Sequence, residues 1–115
     1  MAEIIKKNVV YDYITGHATD EIYEHLTRSI AQYEKHYSSV KIGITGRLPE
    51  VRFREHLEAD LTWEKMIVKY KTKSERYCNE IEQHFIATRP TLANEWIGKS
   101  HLAEGGDNYV YFLVK

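Results

Sequence analysis

The stretch VKIGITGRLPEVRFREH, Val40 to His56, decides how the rest of the chain is read. It opens as a strand at Val40, Lys41 and Ile42, and predicts a turn over Gly43 to Gly46. Pro49 then starts a helix, because proline suits the first helical turn, where a backbone N–H has no partner to lose. Arg52 and His56 stand four apart on that helix and so share a face, one turn from each other. Val51, Phe53 and Leu57 supply an apolar stripe, leaving Arg52, Arg54 and His56 to point elsewhere. Taken locally, this is a strand, a turn and a helix with a solvated basic face.

Working outward on the N-terminal side, residues 8–14 (NVVYDYI) are rich in β-branched and aromatic side chains and predict a strand. Thr15, Gly16 and His17 end it. Thr19 or Asp20 caps a helix over about 20–36, with an apolar stripe at Ile22, Tyr23, Leu26, Ile30, Tyr33 and Tyr37. That stripe suits a helix packed on a sheet better than one waiting for a partner.

On the C-terminal side, the helix begun at Pro49 runs to about Leu57 or Leu61. Trp63 to Lys71 predicts a strand with Met66, Val68 and Tyr70 on one face and Ile67 on the other. Thr72-Lys73-Ser74-Glu75 has the spacing of a capping box. A helix over about 75–88 follows, with Cys78, Ile81 and Phe85 inward, Ile86 alongside and Pro90 preventing continuation. Residues 91–107 read as irregular, with a turn at Gly105-Gly106, and Tyr109 to Val114 (YVYFLV) closes the chain as a strand. The expected fold is a single α/β or α+β domain over 1–115. It has a small mixed or antiparallel sheet of three or four strands flanked by about three helices.

The 115 residues suffice for one buried core. Lys+Arg 16 against Asp+Glu 17 gives a net charge of −1, which is not the footprint of a non-specific nucleic-acid coat protein. Any nucleic-acid contact would rest on a local patch. The single cysteine, Cys78, cannot form an internal disulfide and lies on an apolar stripe, so a buried thiol in a reducing, cytoplasmic setting is expected. No signal peptide is read at the N-terminus, and no apolar run approaches a membrane span. The six histidines show no zinc-type pair, and no phosphate-binding loop or Ser or Cys nucleophile motif is present.

Lys41-Ile42-Gly43, followed by Arg52 and then His56, resembles the second strand and first helix of the GIY-YIG nuclease superfamily, in the branch where Lys replaces the first Tyr of Tyr-Ile-Gly. The resemblance extends to Glu82 in EIEQHFI, with Asn94 twelve residues later, and to Arg89, Glu95 and Trp96, which match the closing pattern of the same branch. It covers roughly residues 39–97. The family's opening Gly-Ile-Tyr strand usually lies about ten residues before the second strand. Residues 26–38 are predicted helix here, so that strand is displaced. Val9-Val10-Tyr11 is one candidate, with a helical insertion after it. The other is Tyr109 to Val114, which closely resembles the branch's opening strand and would make the chain a circular permutation. Tyr111 is the preferred catalytic tyrosine and Tyr11 the alternative.

The resemblance implies metal-dependent hydrolysis of a nucleic-acid phosphodiester, DNA before RNA, with Mg²⁺ or Mn²⁺ held by Glu82. It assigns Arg52 to the phosphate oxygens, Tyr111 or Tyr11 to the attacking water, Lys41 to lowering that tyrosine's pKa, His56 to hydrogen bonding or proton transfer, and Asn94 to orienting substrate or loop. Residue spacing adds independent support for one assignment. Glu82 borders the buried stripe, where a carboxylate is costly unless paired or bound to metal. A homodimer would let so small a nuclease cut two strands, though no residue argues for one. The competing function is a non-catalytic module of the same fold that binds a nucleic acid or a protein, for instance as an inhibitor.

Overall fold

The computed structural model describes residues 2–94, 102–103 and 105–115. The element order is α1 (Ala2–Asn8), β1 (Val9–Ile14), α2 (Asp20–His36), β2 (Val40–Thr45), α3 (Pro49–Ala59), β3 (Lys65–Thr72), α4 (Glu75–Thr88) and β4 (Asn108–Val114). The four strands form one mixed sheet in the order β1-β3-β4-β2. β1 runs parallel to β3, and β4 is antiparallel to both β3 and β2. The described residues thus form an α+β domain with four helices. α1, at the N-terminus, was not expected from the sequence; it buries Ile5.

Helices cover both faces of the sheet. On one face α2 contributes Ile22, Leu26 and Ile30, and α4 contributes Cys78, Ile81 and Phe85. They pack on Val40, Ile42, Ile44, Ile67, Tyr70, Val110, Phe112 and Val114. On the other face α1 and α3 bring Ile5, Phe53 and Leu57 against Val9, Met66, Val68, Tyr111 and Leu113. β4 is central and covered on both sides, which explains its unbroken apolar run: a doubly covered strand has no solvent face to make polar. The two alternating sets, Val110/Phe112/Val114 and Tyr111/Leu113, feed the two cores.

Several expectations are corrected. β2 continues through Gly43 and Ile44 to Thr45, because β4 pairs with it along its whole length; the turn starts after it. Tyr70 lies on the Ile67 face and not with Met66 and Val68. Between Val68 and Tyr70, β3 advances two residues while β4 advances one, from Tyr111 to Val110. That extra residue is a bulge, which reverses the alternation beyond it. Lys69 sits in the bulge, is buried, and donates to Asp12 at 2.8 Å. Val51 is exposed; the inner face of α3 is Pro49, Phe53, His56 and Leu57. The first residue of α4 is preceded by Ser74, whose hydroxyl accepts from the Tyr77 N–H at 3.1 Å, so Ser74 and not Thr72 is the cap.

Candidate active site

The register sets one row of residues across the α1/α3 face of the sheet. Tyr11 on β1 is opposite Val68 on β3, Val68 is opposite Tyr111 on β4, and Tyr111 is opposite Gly43 on β2. Gly43 has no side chain, and the Tyr111 ring fills that space. A β-carbon on Gly43 would come within 3.0 Å of the Tyr111 ring and hydroxyl. The glycine of Lys41-Ile42-Gly43 is therefore required by close approach and not by backbone conformation, since it has no positive φ.

Laid across β2 in this way, the Tyr111 hydroxyl meets α3. His56 Nε2 is 2.7 Å from it, with the two rings edge-on. His56 is 8% exposed and Tyr111 1%, so the pair sits inside the molecule. His56 is not on the solvated basic face expected for it, because α3 lies flat on the sheet with positions 49, 53, 56 and 57 inward. The Arg52 guanidinium, one turn before His56, acts on the Tyr111 oxygen through its charge and through side-chain hydrogen bonding. Arg52 also donates to Glu55 at 2.9 Å, and Glu55 in turn receives two bonds from Arg47. The arginine head is thereby held by the Glu55 carboxylate, with its charge acting on the phenol.

Burial pushes the His56 pKa down to about 3, helped by the positive charges of Arg52 and Lys41. The imidazole is neutral at any physiological pH. Arg52 can only donate. His56 Nε2 and the Tyr111 hydroxyl share one hydrogen bond, whose direction follows the imidazole tautomer. Burial pushes Tyr111 up to about 12, while Arg52 pulls the other way. The resting pair is a neutral phenol and a neutral imidazole in hydrogen-bond contact.

Glu82 acts on the same group through its charge, from α4 on the other face of the sheet. It is 7% exposed, at the border of the inner stripe as the helical spacing predicts. Burial raises its pKa to about 7, against the pull of Lys41 and Arg52. Its charge in turn acts on Tyr111. None of the ion pairs between described residues includes Glu82. Glu80, two positions earlier, is exposed and pairs with Arg76. The Cys78 thiol is buried and pushed up to about 12, which makes it inert as a nucleophile at neutral pH.

Lys41, Arg52, His56, Glu82 and Tyr111 thus form one electrostatically connected cluster at the β2 side of the sheet. Tyr11 does not join it. Its strand is separated from β2 by β3 and β4, three inter-strand steps or about 14 Å. Its hydroxyl donates to the Glu50 carboxylate, with both oxygens at 2.6 Å. Burial and the Glu50 charge raise its pKa further, which suits a structural phenol.

Asn94 binds β2 directly. Its amide donates to the Ile42 carbonyl at 2.9 Å and its oxygen accepts from the Ile42 N–H at 3.0 Å, while the Ala93 N–H bonds Val40 O at 2.8 Å. The segment after α4 is thus clamped along the open edge of β2, beside Lys41 and Gly43. Arg89, at the C-terminal end of α4, pairs with Glu34 of α2 at 3.0 Å. The expected Glu95 and Trp96 positions lie outside the described residues.

A hard divalent ion fits the donor set in one respect: Glu82 is a buried carboxylate oxygen ligand, and Mg²⁺ commonly takes one or two carboxylates and completes its shell with water. Among the described residues no group of three or more His, Cys, Asp or Glu is arranged to hold a metal. Glu55 and Arg47 were not singled out from the sequence. The i,i+3 spacing of Arg52 and Glu55 was the available signal.

No family model matches this chain, and neither does any curated protein or solved structure.

Proposed function

We propose that the protein is a phosphodiester hydrolase acting on nucleic acid, DNA before RNA, of the GIY-YIG type, with β4 standing in for the displaced opening strand. One observation carries the reading. The Tyr111 hydroxyl bonds His56 and lies within the fields of Arg52 and Glu82, and these residue types suit attack at phosphorus. The position of β4 agrees: two strands about ten residues apart can close only as neighbours, and β4 is the neighbour of β2.

In this reading Arg52 grips the non-bridging oxygens and offsets the charge that develops on them. The attacking water gives its proton to the Tyr111 oxygen as the tyrosine proton moves to His56 Nε2. In the resting pair that transfer is strongly uphill. A phosphate anion beside it favours the imidazolium form and lowers the cost. Lys41 adds positive charge beside Glu82 and His56, where an incoming phosphate anion would sit, and Asn94 fixes the strand that carries Lys41 and Gly43. Bound at Glu82, Mg²⁺ or Mn²⁺ would supply Lewis-acid stabilisation of the leaving oxygen.

The test is nicking of supercoiled plasmid with Mg²⁺ or Mn²⁺ by the parent, Glu82→Ala and Arg52→Ala. Nicking by the parent alone, with both variants folded, is the expected result. Equal behaviour of all three proteins sinks the catalytic reading.

The burial of Tyr111 to 1% exposure favours a second reading, a non-catalytic binding module in which the Tyr111–His56 pair is core structure. In that case Glu82→Ala and Arg52→Ala would leave partner binding intact.

A further inference from the structure

At the far end of β1 and β3, an open cavity of about 650 Å³ lies between the β1–α2 loop, the end of β3 and the start of α4. None of its lining residues belongs to the Tyr111 cluster, and nothing in the proposed chemistry uses it. Its walls carry Lys71, Lys73 and Arg76, together with the rings of Tyr13, Tyr77 and His17. Among the described lining residues three cations face one carboxylate, Asp107, 3.7 Å from Lys71, while Glu80 pairs with Arg76 at 3.5 Å from outside the lining, so Lys73 is the lining cation in no ion pair between described residues.

The cations and rings are interleaved. The Lys71 ammonium lies 5.5 Å from the centre of the Tyr13 ring, and the Arg76 guanidinium 5.6 Å from that of Tyr77. His17 Nδ1 is 3.0 Å from the Tyr77 hydroxyl, which fixes that ring as one wall. Tyr13 is 40% exposed, leaving much of its surface open to a ligand. Lys73 and Arg76 are both exposed. A flat aromatic group has Tyr13 to stack on, and an anion next to it has two or three cations to meet. Aromatic platforms alternating with cations recognise single-stranded nucleic acid, because every nucleotide offers a flat base and a phosphate together. The volume falls in the range that accommodates small organic ligands.

We propose that this cavity binds a nucleotide unit, with the base against Tyr13 and the phosphate at Lys71, Lys73 and Arg76. The unit can come from a free mononucleotide or from a single strand. The site is independent of the Tyr111 cluster, so it stands whether or not the chain cleaves nucleic acid.

The test is fluorescence anisotropy of labelled oligothymidylate in EDTA, with AMP as competitor and far-UV circular dichroism as the fold check. The parent is compared with Lys73→Gln/Arg76→Gln, Tyr13→Ala and Tyr13→Phe. We expect the double variant to bind about tenfold or more weakly, with the logarithmic salt slope reduced by about 1.4 for two lost phosphate contacts. Tyr13→Ala should lose about tenfold while Tyr13→Phe binds like the parent, since stacking needs the ring and not the hydroxyl. Displacement of the strand by AMP assigns the site to a single nucleotide; resistance to AMP, with the same variant losses, assigns it to a strand. The proposal is overturned if the parent binds neither probe, or if Tyr13→Ala and the double variant bind as the parent does.

Discussion

Replacing Glu82 by Gln tests the electrostatics of the cluster without any assumption about activity. The carboxyl is buried, and its pKa is raised from the ordinary 4.5 to about 7. Between those two values the folded protein holds a proton that the unfolded chain has released. Stability therefore falls as pH rises through that window, because the native state binds more protons there. The contribution is fully present below pH 4.5 and is gone above about 7. A shift of that size, at 1.36 kcal/mol per unit, corresponds to about 3 kcal/mol. Glutamine keeps the shape and cannot ionise. The remaining titratable groups are common to both proteins and cancel in the difference. Urea denaturation followed by tryptophan fluorescence at pH 4.5, 6 and 8 gives the unfolding free energy of each. The Gln variant should gain on the parent by about 3 kcal/mol across the series, nearly all of it below pH 7.5. A difference that stays flat with pH would mean that Glu82 is solvated or paired, and the cluster as described would not exist.

His56 makes the opposite prediction at lower pH. Its pKa is depressed to about 3, so the unfolded chain takes up a proton first, and the parent should lose several kcal/mol, about 4, as pH falls from 6.5 to 3; His56→Phe, judged by the same denaturation series, should flatten that limb. Tyr111→Phe leaves the buried His56 ring nitrogen without its hydrogen-bond partner and should cost about 1–3 kcal/mol at pH 7. Gly43→Ala forces the Tyr111 ring out of its place and should cost about 1–3 kcal/mol, visible as a lowered Tm. Ser74→Ala removes the cap of α4 and should cost about 1 kcal/mol without altering the pH profile.

Much of the fold was legible because its elements are amphipathic in the simple sense. The stripe Ile22, Leu26, Ile30 marked α2, and Cys78, Ile81, Phe85 marked α4 with Glu82 at its border. What failed did so for physical reasons. The inner face of α3 follows the helical spacing 49, 53, 56, 57, but a histidine in that set reads as polar until its tyrosine partner is known. Tyr70 was placed on the wrong face because a bulge adds a residue that no alternation rule can see. α1 is only 7 residues long and buries one side chain, too little to leave a periodic signal. In the site, the preference for Tyr111 over Tyr11 came from the resemblance of Tyr109 to Val114 to the family's opening strand; the sheet order places β4, which carries Tyr111, beside β2, and β1, which carries Tyr11, at the far edge.

That placement bears on what the cluster requires of a chain. Gly43 and Tyr111 are far apart in sequence but occupy one cross-strand pair, and the bond to His56 exists only because the ring can lie over a residue with no side chain. The constraint is on adjacency in the sheet, not on order along the chain. A strand delivered from the C-terminus meets it as well as one delivered just before β2. Late delivery has a consequence of its own. β4 is one of the two inner strands, and its side chains enter both cores, so neither core can close until β4 has joined the sheet. Long-range pairing of that kind slows folding, because loop-closure entropy is lost before the contacts that offset it are made. It also binds the cluster to the core: a change that loosens β4 disturbs Tyr111, and a change at Gly43 or His56 is felt along β4.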